Sequence, residues 1–149
     1  MDFQELGTTG VQIPDIGFGT WKYTGGVDPI HRGVELGATL IDTAEGYNNE
    51  ESVGKAIAGV RSRVILATKV SPSHFRKNKI LKAADQSLKR LNIDVIDLYQ
   101  LHWPNDAIPI AETMRAMESL VDAGKIRFIG VSNFSIREME GAQKAMSKH

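Results

Sequence analysis

The sequence contains no cysteine among its 149 residues. Disulfide bonds, thiolate nucleophiles and thiolate metal sites are therefore excluded, and a chain without them suits a reducing cytoplasm. There is also no excess of charge, because 18 basic residues balance 18 acidic ones. Nucleic acids and anionic membranes favour a basic surface, so neither is expected as the main partner.

Long hydrophobic runs are missing as well. No apolar stretch approaches the roughly 20 residues that a membrane-spanning helix needs. The segment Met1–Glu5 lacks the basic and apolar regions of a signal peptide, so we expect a cytoplasmic protein. With 42% hydrophobic and 24% charged residues, the composition predicts one globular domain over residues 1–149.

Strand and helix patterns alternate along the chain. A hairpin is predicted at residues 3–13, with Gly7–Gly10 as its turn. Five strand patterns then follow, each with a helical pattern after it, and this order predicts an α/β fold with a parallel sheet. The predicted strands are 16–21, 38–41, 64–69, 95–100 and 126–131, and the predicted helices are 28–36, 49 to a stop at Gly59, 77–91, 109–123 and 135–147.

Residues capable of chemistry follow the predicted strands. Active sites in such folds lie at the carboxyl ends of the strands, so residues from different strands meet on one face. The residues at or just after these ends are Trp21, Asp42, Lys69, His102, Ser132 and Asn133, with Tyr47 in the loop after Asp42.

A phenol, a lysine, a carboxylate and an imidazole together suggest proton transfer to a carbonyl oxygen. An ordinary phenol has a pKa of about 10, too high for efficient acid catalysis near neutrality. A lysine held by Asp42 stays charged and would favour the phenolate of Tyr47. A neutral His102 can then donate to the carbonyl oxygen or share the phenolic proton. This set of groups suits the addition of a proton to a carbonyl oxygen while a hydride is added to the carbonyl carbon.

Each of these residues also has an ordinary structural explanation. Asp42 can cap a loop or form a structural ion pair, Lys69 can be solvated, and Tyr47 can pack within its loop. His102 can hydrogen-bond a backbone carbonyl in the core. The tryptophans can cover the core rim or form an apolar wall for substrate or nicotinamide. The Ser-Asn pair after the fifth strand can be ordinary loop residues or bind a carboxamide.

A metal site is the weaker alternative. Asp42, Glu45 and His102 have no recognisable ligand spacing, and Lys69 would repel a cation. The sequence also lacks G-x-G-x-x-G and Walker motifs, so neither a Rossmann dinucleotide site nor a P-loop is available.

Motifs distributed over the whole chain resemble those of the aldo-keto reductases. In order they are LGTTG at 6–10 with IGFGTW at 16–21, IDTAEGY at 41–47 with Asn49-Glu50, TK at 68–69, LYQLHWP at 98–104 and GKIRFIGVSNF at 124–134.

The resemblance implies an NADPH- or NADH-linked reductase of aldehydes or ketones on a (β/α)8 barrel, without a metal. It assigns a catalytic tetrad, in which Tyr47 is the proton donor, to Asp42, Tyr47, Lys69 and His102. It assigns cofactor contacts to Thr20, Asp42, Ser132 and Asn133. It assigns substrate contacts to Trp21, Tyr47, His102 and Trp103.

The chain departs from the resemblance in its length. A complete barrel takes about 250 residues, and five strand-helix units predict a partial barrel that is C-terminally truncated relative to the family. Loops after later strands often hold the cofactor's phosphates, so weak NADPH binding is expected. Open sheet edges predict a homo-oligomer. The competing hypothesis is an inactive half-barrel that serves as a structural or interaction module.

Overall fold

An antiparallel hairpin opens the chain. Strands β1 (Phe3–Glu5) and β2 (Gln12–Pro14) pair with Phe3 opposite Pro14. The structure is a computed structural model that describes residues 1–148. The hairpin forms a sheet of its own, as the turn residues predict.

Five parallel strands form the main sheet, and each pairs with the next along the chain. They are β3 (Phe18–Gly19), β4 (Leu40–Asp42), β5 (Ile65–Val70), β6 (Ile96–Leu101) and β7 (Ile126–Val131). The helices that follow them are α1 (Asp28–Glu35), α2 (Glu50–Ile57), α3 (Lys77–Leu91), α4 (Ile110–Asp122) and α5 (Ile136–Ala145). The predicted α/β fold with an N-terminal hairpin and a partial parallel barrel is confirmed.

The two faces of the sheet differ in burial because side chains alternate along each strand. On one face Leu66, Tyr99 and Leu101 are fully buried among helix residues. On the other face Leu98 and Phe128 are only half-buried, and this face also carries Lys69.

The sheet has two open edges within residues 1–148, since β3 and β7 each pair on one side only. Unpaired strand edges favour association. A homo-oligomer stays a prediction. No helix in this described part of the chain has the length and apolar character needed to cross a membrane.

The first parallel strand is shorter than predicted. The sequence pattern covers residues 16–21, whereas only Phe18–Gly19 pairs with β4. Glycine weakens a strand interior, and here Gly17 and Gly19 interrupt an edge strand with one neighbour. Ile16 is 64% exposed as a result.

The sequence predicts two specific helix starts: Asp28 as an N-cap before Pro29, and a capping box from Ser135 to Glu138. Asp28 does not precede α1 as its N-cap: Val27 occupies that position, and Asp28 with Pro29 forms the first turn. The capping box that begins α5 is confirmed, because the Glu138 N–H donates to Ser135 Oγ and the Ser135 N–H donates to Glu138 Oε2. The predicted ranges of α3 and β7 are confirmed without change, and the remaining boundaries of the strands and helices differ by at most two residues.

Gly54 lies where α2 meets α3 without room for a side chain. A Cβ on Gly54 would collide with the backbone of Leu91, and the Leu91 carbonyl oxygen would be its nearest neighbour. Alanine normally stabilises a helix relative to glycine by about 0.5–1 kcal/mol. Backbone collision costs more, so we expect Gly54→Ala to lower the free energy of unfolding by about 1–3 kcal/mol.

Gly141 is the matched control for this prediction. It lies inside α5, where an added Cβ meets nothing within 4 Å. We expect Gly141→Ala to raise the free energy of unfolding by about 0.5–1 kcal/mol. Urea denaturation of both variants makes the comparison, and equal stabilisation would show that α2 and α3 are not in close contact at Gly54.

Candidate active site

Lys69 contacts two of the other predicted site residues, Asp42 and Tyr47. Its ammonium donates to both oxygens of Asp42, at 2.7 and 2.6 Å, and to the carbonyl of Thr43 at 2.9 Å. The phenolic oxygen of Tyr47 lies 3.5 Å from the same nitrogen. Lys69 is only 6% exposed, and the two Asp42 contacts keep this buried ammonium paired.

The parallel register explains why these groups meet. Asp42 ends β4 opposite Ala67 of β5, and Lys69 lies two residues further along β5. Residues two apart on a strand point to the same face. Lys69 therefore extends over the end of β4 and reaches the Asp42 carboxylate.

Tyr47 is carried by a single helical turn, Glu45–Tyr47, directly after β4. The Tyr47 N–H donates to the Ala44 carbonyl at 3.0 Å, and Ala44 itself is fully buried. Asn48 then reverses the chain in a left-handed conformation at φ 56°, which asparagine tolerates better than most residues. The turn places the phenol over the end of the sheet.

His102 completes the group from the next strand. Its N–H donates to the Val70 carbonyl at 3.1 Å, which fixes the residue at the end of β6. Its ring meets the Tyr47 ring edge to face, with centroids 5.6 Å apart at 76°. Partial burial, then the Lys69 charge, lower the pKa of His102, while Asp42 and Glu45 act in the opposite direction. The net direction favours a neutral imidazole near neutral pH.

Trp103 lies beside this group, whereas Trp21 comes two residues after the end of β3. Trp21 is 67% exposed and Trp103 is 53% exposed, so neither caps the core. The Trp103 ring stacks on His102 at 6.3 Å and 26°, whereas Trp21 carries the Lys22 ammonium 4.6 Å from its ring centroid. Two exposed indoles beside polar groups can provide apolar walls for a ligand.

Ser132 and Asn133 lie beside His102, at the end of β7. The Ser132 N–H donates to the Leu101 carbonyl at 2.8 Å. The Asn133 amide group donates to the His102 carbonyl at 2.9 Å and to Ser132 Oγ at 3.0 Å. These bonds leave the Ser132 hydroxyl proton and the Asn133 side-chain carbonyl available to a ligand.

Thr20 follows β3 and is fully buried. Its carbonyl accepts a hydrogen bond from Asn49 at 2.6 Å, while its hydroxyl has no partner in the described part of the chain. Its assignment as a cofactor contact stays a prediction.

The carboxylates proposed as metal ligands are already engaged. Asp42 uses both oxygens on Lys69, and Glu45 accepts hydrogen bonds from the Ser71 N–H and from the His74 ring. Among residues 1–148, no three metal-binding side chains form a cluster.

Two anchoring residues were not assigned this role from the sequence. Asn49 accepts from Thr43 Oγ1 at 2.9 Å and donates to the Thr20 carbonyl, so it fastens the loops after β3 and β4 together. From the sequence, Glu45 is considered only as a possible metal ligand. The only sequence signal for these two anchoring residues is that each is polar and lies close to Tyr47 in a short turn.

The sequence matches the model of the aldo/keto reductase family over residues 15–149. The chain belongs to the aldo/keto reductase family. It is 43% identical to aldo-keto reductase YhdN of Bacillus subtilis, over 94% of this chain and 49% of that protein. It is 43% identical to methylglyoxal reductase YeaE of Escherichia coli, over 87% of this chain and 49% of that protein. The chain therefore spans about half the length of these curated relatives.

Solved structures of aldo-keto reductases share the fold. A thermostable aldo-keto reductase, Tm1743, superposes with a TM-score of 0.92 at 39% identity, covering 100% of this chain and 60% of that one. An aldo-keto reductase of Klebsiella pneumoniae in complex with NADPH superposes with a TM-score of 0.84 at 44% identity, covering 90% and 50%. The five strand-helix units thus correspond to part of an aldo-keto reductase barrel.

Proposed function

We propose that this chain carries the reacting end of a nicotinamide-dependent reductase of aldehydes or ketones. The observation that supports the proposal best is the position of Lys69, which contacts both the Asp42 carboxylate and the Tyr47 phenol. His102 faces the same phenol from the neighbouring strand. Relatives of this chain are reductases by name, and one of the similar structures is a complex with NADPH.

Tyr47 is the proposed proton donor. Its hydroxyl gives a proton to the carbonyl oxygen of the substrate, which becomes the hydroxyl of an alcohol. Lys69 stabilises the resulting phenolate by its charge, and Asp42 keeps Lys69 in place. His102, neutral near pH 7, donates a hydrogen bond to the same substrate oxygen and orients it. A bound reduced nicotinamide supplies the hydride.

The end of β7 fits the carboxamide of such a cofactor. A carboxamide needs one donor for its carbonyl and one acceptor for its amide group. The Ser132 hydroxyl proton and the Asn133 side-chain carbonyl provide these, because the Asn133 amide group is already bonded to the His102 carbonyl and to Ser132 Oγ. The proposed carboxamide contacts thus lie next to His102, where the substrate carbonyl would receive the hydride.

The proposed substrate is a small reactive carbonyl compound bordered by Trp21 and Trp103. Among the relatives, YeaE carries the name methylglyoxal reductase. The test is reduction of methylglyoxal by the purified chain, and the rate is measured as the loss of NADPH absorbance. We expect turnover above that of buffer and of a heat-unfolded sample. No turnover at any substrate concentration would reject the proposal.

The second candidate is an inactive half-barrel that acts as an interaction module. The half-buried sheet face and the two open edges within residues 1–148 favour it. The same assay separates the candidates, because an interaction module does not consume NADPH.

The proposed site should discriminate little between the two nicotinamide cofactors. NADPH differs from NADH in a remote 2′-phosphate, whereas the contacts proposed for Ser132, Asn133 and the tetrad lie at the nicotinamide. Loss of a few charge-assisted contacts, each worth about 1.5–3 kcal/mol, weakens binding by orders of magnitude. We expect isothermal titration of the 149-residue chain to give weak binding and affinities within about threefold of each other, a gap below 1 kcal/mol. Tight, NADPH-selective binding would contradict this.

A further inference from the structure

Glu45 connects the turn that carries Tyr47 to the end of β5. Its Oε1 atom accepts a hydrogen bond from the Ser71 N–H at 2.5 Å and lies 2.9 Å from His74 Nδ1. The Glu45 side chain is only 8% exposed. Ser71 comes directly after β5 and is two residues from Lys69, so the carboxylate joins the acid's turn to the lysine's strand.

The Glu45 contact begins where backbone pairing between the two strands ends. The last such bond runs from the Thr43 N–H to the Ala67 carbonyl at 2.9 Å. From Ala44 onward the chain leaves the sheet. The Glu45 carboxylate then takes the place of a strand carbonyl and accepts the hydrogen bond of the Ser71 N–H.

The distance between Lys69 and Tyr47 is sensitive to this attachment. At 3.5 Å it lies at the outer limit of a hydrogen bond, so a small outward movement of the turn would break the contact. Asn49 holds the other side of the turn through Thr43 and Thr20. Without Glu45 the turn would be anchored toward β3 and would be free to move away from β5.

We propose that Glu45 is a positioning residue that holds the Tyr47 hydroxyl within reach of Lys69. The inference rests on the proposed reductase function. Glu45 contacts neither the phenol nor the ammonium, so its positioning effect passes through the backbone of its turn, separately from its charge, which raises the pKa of His102. Misplacement of a reacting group by about 1 Å can cost about 100-fold in rate. The loss belongs in kcat rather than KM, since the walls of the pocket stay in place.

Two replacements of Glu45 distinguish its hydrogen bond with the Ser71 N–H from the negative charge of its carboxylate. Glu45→Ala removes the acceptor, whereas Glu45→Gln keeps an oxygen for the Ser71 N–H. Glu51→Ala is the matched control, because Glu51 is an exposed acid of α2 with no hydrogen bond among the described contacts. Steady-state kinetics with methylglyoxal and amide hydrogen exchange of Ser71 are measured on all four proteins.

We expect Glu45→Ala to lower kcat by about 10- to 100-fold with little change in KM, and to speed exchange of the Ser71 amide. Glu45→Gln and Glu51→Ala should stay close to the wild type in both measurements. An alanine variant with normal kcat, or with normal Ser71 exchange, would overturn the inference. Equal losses in Glu45→Gln and Glu45→Ala would also overturn it, since charge and not attachment would then matter.

A second variant covers the case in which Glu45→Ala does not fold. Ser71 has φ −70° and ψ 148°, a conformation that proline adopts without strain. Ser71→Pro therefore removes the N–H that donates to Glu45, together with a hydroxyl that makes no hydrogen bond among the described contacts, and the same loss of kcat is expected. Wild-type protein without reductase activity would reject the proposed function, while the Ser71 exchange of Glu45→Ala would still decide whether the attachment exists.

Discussion

Tyr47→Phe is expected to lower carbonyl reduction by about 100- to 10,000-fold, the usual contribution of a general acid. The phenylalanine ring fills the same space, so substrate and His102 keep their surroundings. Only the proton donor is lost. The measurement is kcat with methylglyoxal and NADPH, at a protein concentration high enough to detect the residual rate.

The fold should tolerate this replacement. Among the described contacts, the Tyr47 hydroxyl bonds only to Lys69, and that ammonium keeps Asp42 and the Thr43 carbonyl without it. No buried group is left unpaired, so the free energy of unfolding should change by less than about 0.5 kcal/mol. Activity that survives in Tyr47→Phe would reassign the proton donor.

Lys69→Met is the companion variant, and its expected result differs. It removes the charge that stabilises the phenolate, so activity should fall as in Tyr47→Phe. It also leaves Asp42, whose side chain is 34% exposed, without its partner. A loss of activity in Lys69→Met therefore mixes chemistry with stability, and Tyr47→Phe is the cleaner test.

The meeting of the candidate site residues was predictable because parallel strands place their carboxyl ends together. Asp42, Lys69 and His102 lie at or just after the carboxyl ends of three consecutive strands, and the register brings them to one edge of the sheet. The pattern of apolar residues alone predicted the strands that are buried on one face of the sheet. It failed at residues 16–21, where glycines and a single neighbour limit the strand to two residues.

The anchors around the site were not predictable in the same way. Glu45, Asn49 and Glu50 are close in sequence, yet each binds a different element. Their partners lie 26, 29 and 40 residues away along the chain. Local pattern identifies a polar residue near a turn, but it contains no information about which distant strand end or helix will face it.

Glu50 illustrates how deeply such an anchor can be buried. Its side chain is 1% exposed at the start of α2. One oxygen accepts from Thr68 Oγ1 of β5 at 2.6 Å, and the other accepts from Ser87 Oγ at 3.2 Å and Arg90 Nε at 2.8 Å, both of α3. The carboxylate thus joins the strand that carries Lys69 to two helices.

Arg90→Met is expected to lower the free energy of unfolding by about 3–5 kcal/mol, the cost of leaving a buried charge without its partner. The Glu50 carboxylate keeps two hydroxyl donors but loses its only cation among the described contacts. The stem of methionine replaces most of the arginine stem, so lost packing is a small part of the effect.

The double variant Glu50→Gln/Arg90→Met and the single variant Lys125→Met make this test specific. Glutamine removes the uncompensated charge, so the double variant should recover much of the stability lost in Arg90→Met. Lys125→Met breaks an exposed pair with Asp85, whose side chains are 38% and 54% exposed, and should cost less than about 1 kcal/mol. Urea denaturation midpoints of these variants and the wild type provide the comparison. Equal losses in Arg90→Met and Lys125→Met would mean that burial of Glu50 does not matter, and a double variant no more stable than Arg90→Met would assign the loss to packing.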